Sequence, residues 1–235
     1  MPLPDDALDE LEENAPGLAV LGEPVRRRLY RFVAHEPEAV SREQAAAGVG
    51  VPAHTAKFHL DKLVDEGLLE VEFRRLTGRT GPGAGRPAKL YRRSAREFAL
   101  SLPERHYDLL SRILAGAVER AVADGSPVRE AAAQVARSAG EAVGLEAVTR
   151  TSGREPLDRL AAALAPHGYE PRIEDGRMVL ENCPFDRVAR DHTELVCGLN
   201  LEYVDGVVAG LGCPQVCADL TPAAGRCCVS ARTRG

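Results

Sequence analysis

The sequence predicts a mostly helical α+β chain. It reads as an N-terminal helix-turn-helix with a β-hairpin, a helical linker and dimerisation segment, and a small α+β C-terminal domain carrying cysteines. Three observations predict this. Apolar residues recur at three- and four-residue spacing over most of the 235 residues, broken by a few short alternating runs bounded by glycine and proline. The composition is 44% apolar but only 4% aromatic, with no Trp, which favours helices packed through small side chains over a large sandwich. All six cysteines fall after position 182, and such clustering calls for a local explanation.

Residues 1–16 are acidic and read as a flexible arm. From Pro24 the pattern turns helical: Val25, Leu29, Phe32 and Val33 form a stripe among Arg26, Arg27, Arg28 and Arg31, and Pro24 suits a first helical turn. Ser41 with Gln44 three residues on is a capping-box signature, opening a short helix that Gly48-Val49-Gly50 ends. Pro52 starts another helix, with Ala56, Leu60, Leu63 and Val64 inward and Gly67 as its stop. Two short helices around a tight glycine turn make a helix-turn-helix candidate. Residues 68–73 alternate like a strand, 77–87 form a glycine-rich tip, and 88–92 return. That hairpin is a wing, so residues 17–95 are assigned to a winged helix-turn-helix domain. The tip lacks the Gly-Lys-Ser/Thr ending and the following helix that a phosphate-cradling loop needs.

Residues 96–150 are expected to be the helical linker and dimerisation region. Its longest helix runs from Pro103 to about Ala123, and Leu110, Ile113, Leu114 and Ala117 form either a dimer seam or an internal core face. Residues 151–235 are expected to be the sensor domain: a helix around Leu157–Leu164, two strands turned by Asp175-Gly176, two more helices, and two terminal strand-like pieces.

The net charge of −5 hides an asymmetry. Between Glu23 and Ser94 there are 14 Lys/Arg against 9 Asp/Glu. Screening beyond ~8–10 Å keeps distant acids from cancelling a local basic face, so the local balance favours a polyanion partner. The outward face of the second short helix carries His54, Thr55, Lys57, Phe58, Asp61 and Lys62, and the hairpin adds Arg74, Arg75, Arg79, Arg86 and Lys89. Such side chains reach phosphates, base edges or a thymine methyl. Leu21-Gly22-Glu23-Pro24-Val25-Arg26, the run from His54 to Leu63, and Gly85-Arg86-Pro87-Ala88-Lys89-Leu90-Tyr91 together resemble winged-helix regulators of the ArsR/DeoR-like group. The resemblance implies a helix in the major groove of double-stranded DNA, a wing beside it, and homodimers on inverted-repeat operators. The residues it nominates for DNA are His54, Thr55, Lys57, Phe58, Lys62, Arg75, Arg79, Arg86 and Lys89.

No apolar run approaches the roughly 18 residues of a membrane span, and the start has no signal-peptide pattern, so a cytoplasmic protein is expected. There thiols stay reduced, and cysteines read as metal ligands or buried apolar residues before disulfides. Tight Cys-x-x-Cys knuckles are absent, Cys213-Pro214-Gln215-Val216-Cys217 being the nearest approach, which favours a cluster over structural zinc. The segments around Asn182-Cys183-Pro184-Phe185, His192–Cys197 and Cys227-Cys228 resemble the C-terminal domain of the SufR-like branch of these regulators. That resemblance implies an iron–sulfur cluster, 4Fe-4S or 2Fe-2S, held by Cys183, Cys197 and Cys227 with Cys213 or Cys228 as a fourth ligand; zinc is the alternative cofactor. The expected function is a transcriptional regulator, a repressor, whose operator affinity follows cluster state; the alternative is a zinc-binding or thiol-redox regulator. No catalytic triad order, redox Cys-x-x-Cys or paired-acid motif stands out, so the chain reads as non-enzymatic.

Overall fold

A computed structural model describes residues 12, 14–75 and 87–234. Residues 1–11 of the acidic arm and the wing tip at 76–86, with Arg79 and Arg86, lie outside the described residues; 14–19 are helical. The described residues divide between Leu100 and Ser101 into two units.

In the first unit, α1 (Pro24–His35) begins at its proline, and the Glu23 carboxylate caps it by accepting from the backbone N–H of Val25 and Arg26 at 3.0 and 2.5 Å. Strand β1 (Val40–Ser41) leads into α2 (Arg42–Val49) through the expected capping box, with Gln44 N donating to Ser41 Oγ and Ser41 N to Gln44 Oε1. Gly50, at φ 72°, ends α2 in the left-handed conformation that glycine adopts without steric cost. Helix α3 (Ala53–Asp65) then buries Ala56, His59, Leu60 and Leu63. Strands β2 (Leu69–Arg74) and β3 (Ala88–Arg93) pair antiparallel with Val71 opposite Tyr91, and β1 adds to the other side of β3. Leu29, Val33, Leu60, Leu63, Leu69 and Tyr91 form one buried cluster, so both short helices and the hairpin are held by the same core. The short β1 strand was not visible in the sequence because two residues show no alternation.

The second unit holds α4 (Tyr107–Asp124), α5 (Val128–Ala147), α6 (Pro156–Leu164), β4 (Pro171–Glu174), β5 (Arg177–Leu180), α7 (Asp186–Asp191), α8 (Thr193–Gly210), β6 (Val216–Leu220) and β7 (Val229–Thr233). Its antiparallel sheet has the order β4-β5-β7-β6. Helices α5 and α8 are in backbone contact: a Cβ on Gly140 would lie 1.9 Å from the Tyr203 carbonyl oxygen, and one on Gly206 would lie 2.1 Å from that of Arg137. Small residues four apart on both helices permit this approach, and large ones would forbid it.

Within residues 96–150, α4 and α5 pack into the second unit's core, with Leu110, Ile113 and Ala117 3%, 2% and 0% exposed. Of the two readings of that stripe, these three residues take the internal core face. Helix α4 starts at Tyr107 and not Pro103, because residues 104–106 are engaged elsewhere in the unit.

Candidate nucleic-acid interface and thiol centre

Burying Ala56, Leu60 and Leu63 turns the opposite face of α3 outward. His54, Lys57, Phe58 and Lys62 are exposed and Thr55 is half-buried. Phe58, an aromatic that would more often serve a core, is 61% exposed on this face. His59 instead points inward, with its Nδ1 3.4 Å from Arg26 Nε and 3.6 Å from Glu23, and it serves packing. A shallow groove runs along the outer face, lined by Arg42, His54, Lys57, Phe58, Asp61 and Lys62.

Several cations of α3 and the hairpin have acidic neighbours in the chain. Lys62 lies 3.9 Å from Glu66, Arg74 lies 3.1 Å from Glu38, and Arg75 is exposed. Asp61 is the hub. It accepts from Lys89 Nζ at 2.6 Å and Tyr91 Oη at 2.9 Å, both on β3, and lies 3.9 Å from Lys57. Partial burial works to raise its carboxyl, but the hydrogen bonds from Lys89 and Tyr91 and the nearby ammonium groups outweigh this and hold it below its usual 3.8. Asp61 therefore remains a carboxylate and ties the wing to α3. Sequence reading placed Asp61 on the outer face without finding this clamp, because its partners lie 28 and 30 residues away.

Asp61→Asn keeps the size of the side chain but removes the charge that holds Lys89. The freed ammonium is expected to steepen the salt dependence of binding to a random duplex by about 0.9 in log–log slope. Fluorescence anisotropy across a KCl series measures this; an unchanged slope would show that Lys89 does not reach phosphate.

Residues 21–72 match the family model of a helix-turn-helix domain. With β2 and β3 beside it, the first unit is a winged helix-turn-helix, and the chain is a DNA-binding transcriptional regulator. No curated protein and no solved structure matches the chain at a significant level.

In the second unit the cysteines sort into two groups. Cys197, in the second turn of α8, is disulfide-bonded to Cys228, with the Cα atoms 6.4 Å apart. Cys183, in the loop after β5, lies against Cys227, and each thiol shifts the acidity of the other. Because Cys227 and Cys228 are consecutive, the two pairs sit side by side, supplied by the β5–α7 loop, α8 and the approach to β7. Cys213 is buried and aims its thiol at Leu211 O, and Cys217 on β6 aims at Arg232 O. Of the two candidates for a fourth ligand, Cys228 is bonded to Cys197 and adjacent to Cys227, whereas the Cys213 thiol faces a carbonyl of its own loop. Among the described residues, no three His, Cys, Asp or Glu side chains are grouped to hold a metal ion as they stand.

The thiol pair is polarised. The Cys183 S–H is the main influence holding Cys227 below its usual 9.0, against the opposing effect of burial, and the N–H groups of Val229, Asn200 and Cys228 add to it. Cys183 is pushed up by the same contact and by burial, against a backbone N–H from Phe185 that pulls it down. Asn200 Nδ2 lies 3.1 Å from Cys227 Sγ, and Tyr169 Oη donates to Asn200 Oδ1 at 2.5 Å. Both residues are buried, at 1% and 2% exposure. Sequence reading missed them, although Asn200 lies three residues after Cys197, one helical turn along the same face.

Proposed function

We propose that this regulator holds an iron–sulfur cluster through Cys183, Cys197, Cys227 and Cys228, and that cluster state sets its affinity for an operator. The supporting observation is the meeting of Cys183 with Cys227 and of Cys197 with Cys228 from three separate segments. The donor set fits such a group chemically, since thiolates are its usual ligands and Asn200 adds an N–H toward one sulfur. As paired here the sulfurs are engaged with one another, so the Cys197–Cys228 bond has to be reduced before four thiolates are available. A bound cluster would supply a redox- and oxidant-responsive charge at this point. The protein's part is to bring the four sulfurs together, with Cys197 and Cys227 buried and Cys183 and Cys228 half-buried, and to orient Cys227.

On the DNA side, α3 enters the major groove with His54, Thr55, Lys57, Phe58 and Lys62 forward, while the wing with Arg75, Arg79, Arg86 and Lys89 follows the backbone. Repression from the cytoplasm by a homodimer on an inverted repeat belongs to the same reading. The outward Val118 and Val122 of α4, 54% and 82% exposed, are the apolar face such a pair would cover.

Anaerobic purification followed by iron and sulfide analysis tests the cluster. The expected product is brown and carries iron and sulfide in equal amounts, and Cys183→Ser, Cys197→Ser or Cys227→Ser each abolish the colour. Colourless protein with tightly held zinc would replace the cluster by zinc. A second reading is favoured by the disulfide itself: metal-free protein whose operator affinity follows the Cys197–Cys228 bond is a thiol-redox regulator.

A further inference from the structure

We infer that Arg105 and Asn182 are positioning residues that latch the segment leading in from the DNA-binding unit onto the Cys183 loop, so that a change in bonding at the thiol centre is passed to that segment. This rests on reading the thiol centre as a sensor.

Residues 101–106 connect Leu100, the last residue of the first unit, to α4. Their backbone is held by the residues on both sides of Cys183. Asn182 Nδ2 donates to Glu104 O at 2.9 Å and to Gly168 O at 2.6 Å, and its Oδ1 accepts from Arg105 Nη1. Arg105 Nη1 also donates to Cys183 O at 3.0 Å, and His106 N donates to Pro184 O at 3.1 Å. Asn182 is 5% exposed and its hydrogen-bonding groups face the segment on one side and Gly168 on the other. Losing one partner leaves a buried polar group unpaired, which makes the latch two-state: it is either closed or given up over several bonds.

The acceptors are the peptide carbonyls of Cys183 and the next residue. Cys183 touches Cys227, and Cys227 precedes Cys228 of the disulfide, so a change in which sulfur bonds to which pulls on Cys183. Moving that residue re-aims both carbonyls, and hydrogen bonds weaken steeply as their angles close. Arg105 is further steadied by Asp186 at 3.9 Å, and His106 Nε2 by Glu104 at 2.5 Å. Asp186 N itself donates to Cys183 O at 3.1 Å, so the charged anchor and the carbonyl side of the latch belong to the same loop and move together. Two sites share coupling free energy only through an element that both bias, and the latch assigns that part to residues 104–106.

The experiment uses full-length protein and a duplex of the promoter region preceding its own gene. Operator Kd is measured in protein reduced with excess phosphine and in protein oxidised with diamide, alongside hydrogen exchange of the peptide covering 101–106. In the wild type the two states are expected to differ about 5- to 150-fold in Kd, with protection at 104–106 changing between them. In Arg105→Gln the ratio is expected to fall within about twofold, while the free-thiol count in each state matches the wild type and unfolding stays cooperative at an unfolding temperature lowered equally in both states; Arg105→Lys restores part of the ratio. A wild-type-sized ratio in Arg105→Gln overturns the latch and leaves the sensor reading standing, as does identical protection of 104–106 in both wild-type states. A wild type whose affinity ignores thiol state and cluster content removes the sensor reading, and the latch falls with it. Asn182→Ser serves as a second variant, and loss of the ratio in it alone, with Arg105→Gln unaffected, also counts against the latch.

Discussion

Gly206→Ala is expected to cost the second unit about 3 kcal/mol or more, the upper end of what overpacking costs, from the addition of a single methyl group. The methyl carbon would stand 2.1 Å from the Arg137 carbonyl oxygen and 2.9 Å from the Glu141 nitrogen. Both are backbone atoms of α5, so no side chain can swing aside and the helices have to separate. Separation loosens a core that includes Ala136, Tyr203 and Val207. It also shifts α8, which carries Cys197 and Asn200, so the thiol pairs should come apart with the fold. Gly198 on the same helix is the control, since nothing lies within 4 Å of a Cβ there. Gly198→Ala should be neutral or stabilising by up to about 1 kcal/mol, the helix-propensity difference alone. Urea unfolding of the two variants measures the contrast; equal midpoints would show that α5 and α8 do not meet backbone to backbone.

Reversing two charges on the outer face of α3, Lys57→Glu with Lys62→Glu, is expected to weaken operator binding at least about a hundredfold at physiological salt, on the order of 1.4 kcal/mol per contact. The log–log salt slope should shrink by about two, because each lost phosphate contact removes about 0.9 from it. Neither residue is in the core, and their ion pairs with Asp61 and Glu66 are long at 3.9 Å, so unfolding temperature should barely move. Gel shifts over a salt series, with thermal unfolding as the folding check, read both quantities. Wild-type affinity in the double variant would take this face of α3 off the DNA.

Much of the first unit was legible because its signals are local. Pro24 at a first turn, Ser41 with Gln44 as a capping box and Gly50 as a left-handed stop each act within four residues, and they set the boundaries of α1 and α2. The apolar stripe of α3 decided at the same time which face was left for a duplex. In the second unit, local periodicity located the helices and most strands, but it also ran α4 back to Pro103. There the deciding bonds come from residues 77 and 78 positions away, at Asn182 and Cys183, and no window of neighbouring residues contains them.

The sequence by itself determined that a basic helix-turn-helix with a hairpin precedes a domain in which all the thiols gather, since composition, spacing and capping are properties of adjacent residues. Only the tertiary structure decided that Cys197 bonds Cys228 while Cys183 lies against Cys227, that Asp61 holds the wing, and that α4 spends the Leu110–Ile113–Ala117 face on its own core. Those outcomes depend on which distant segments the core brings within hydrogen-bond reach, and that reach is set by packing of the whole unit.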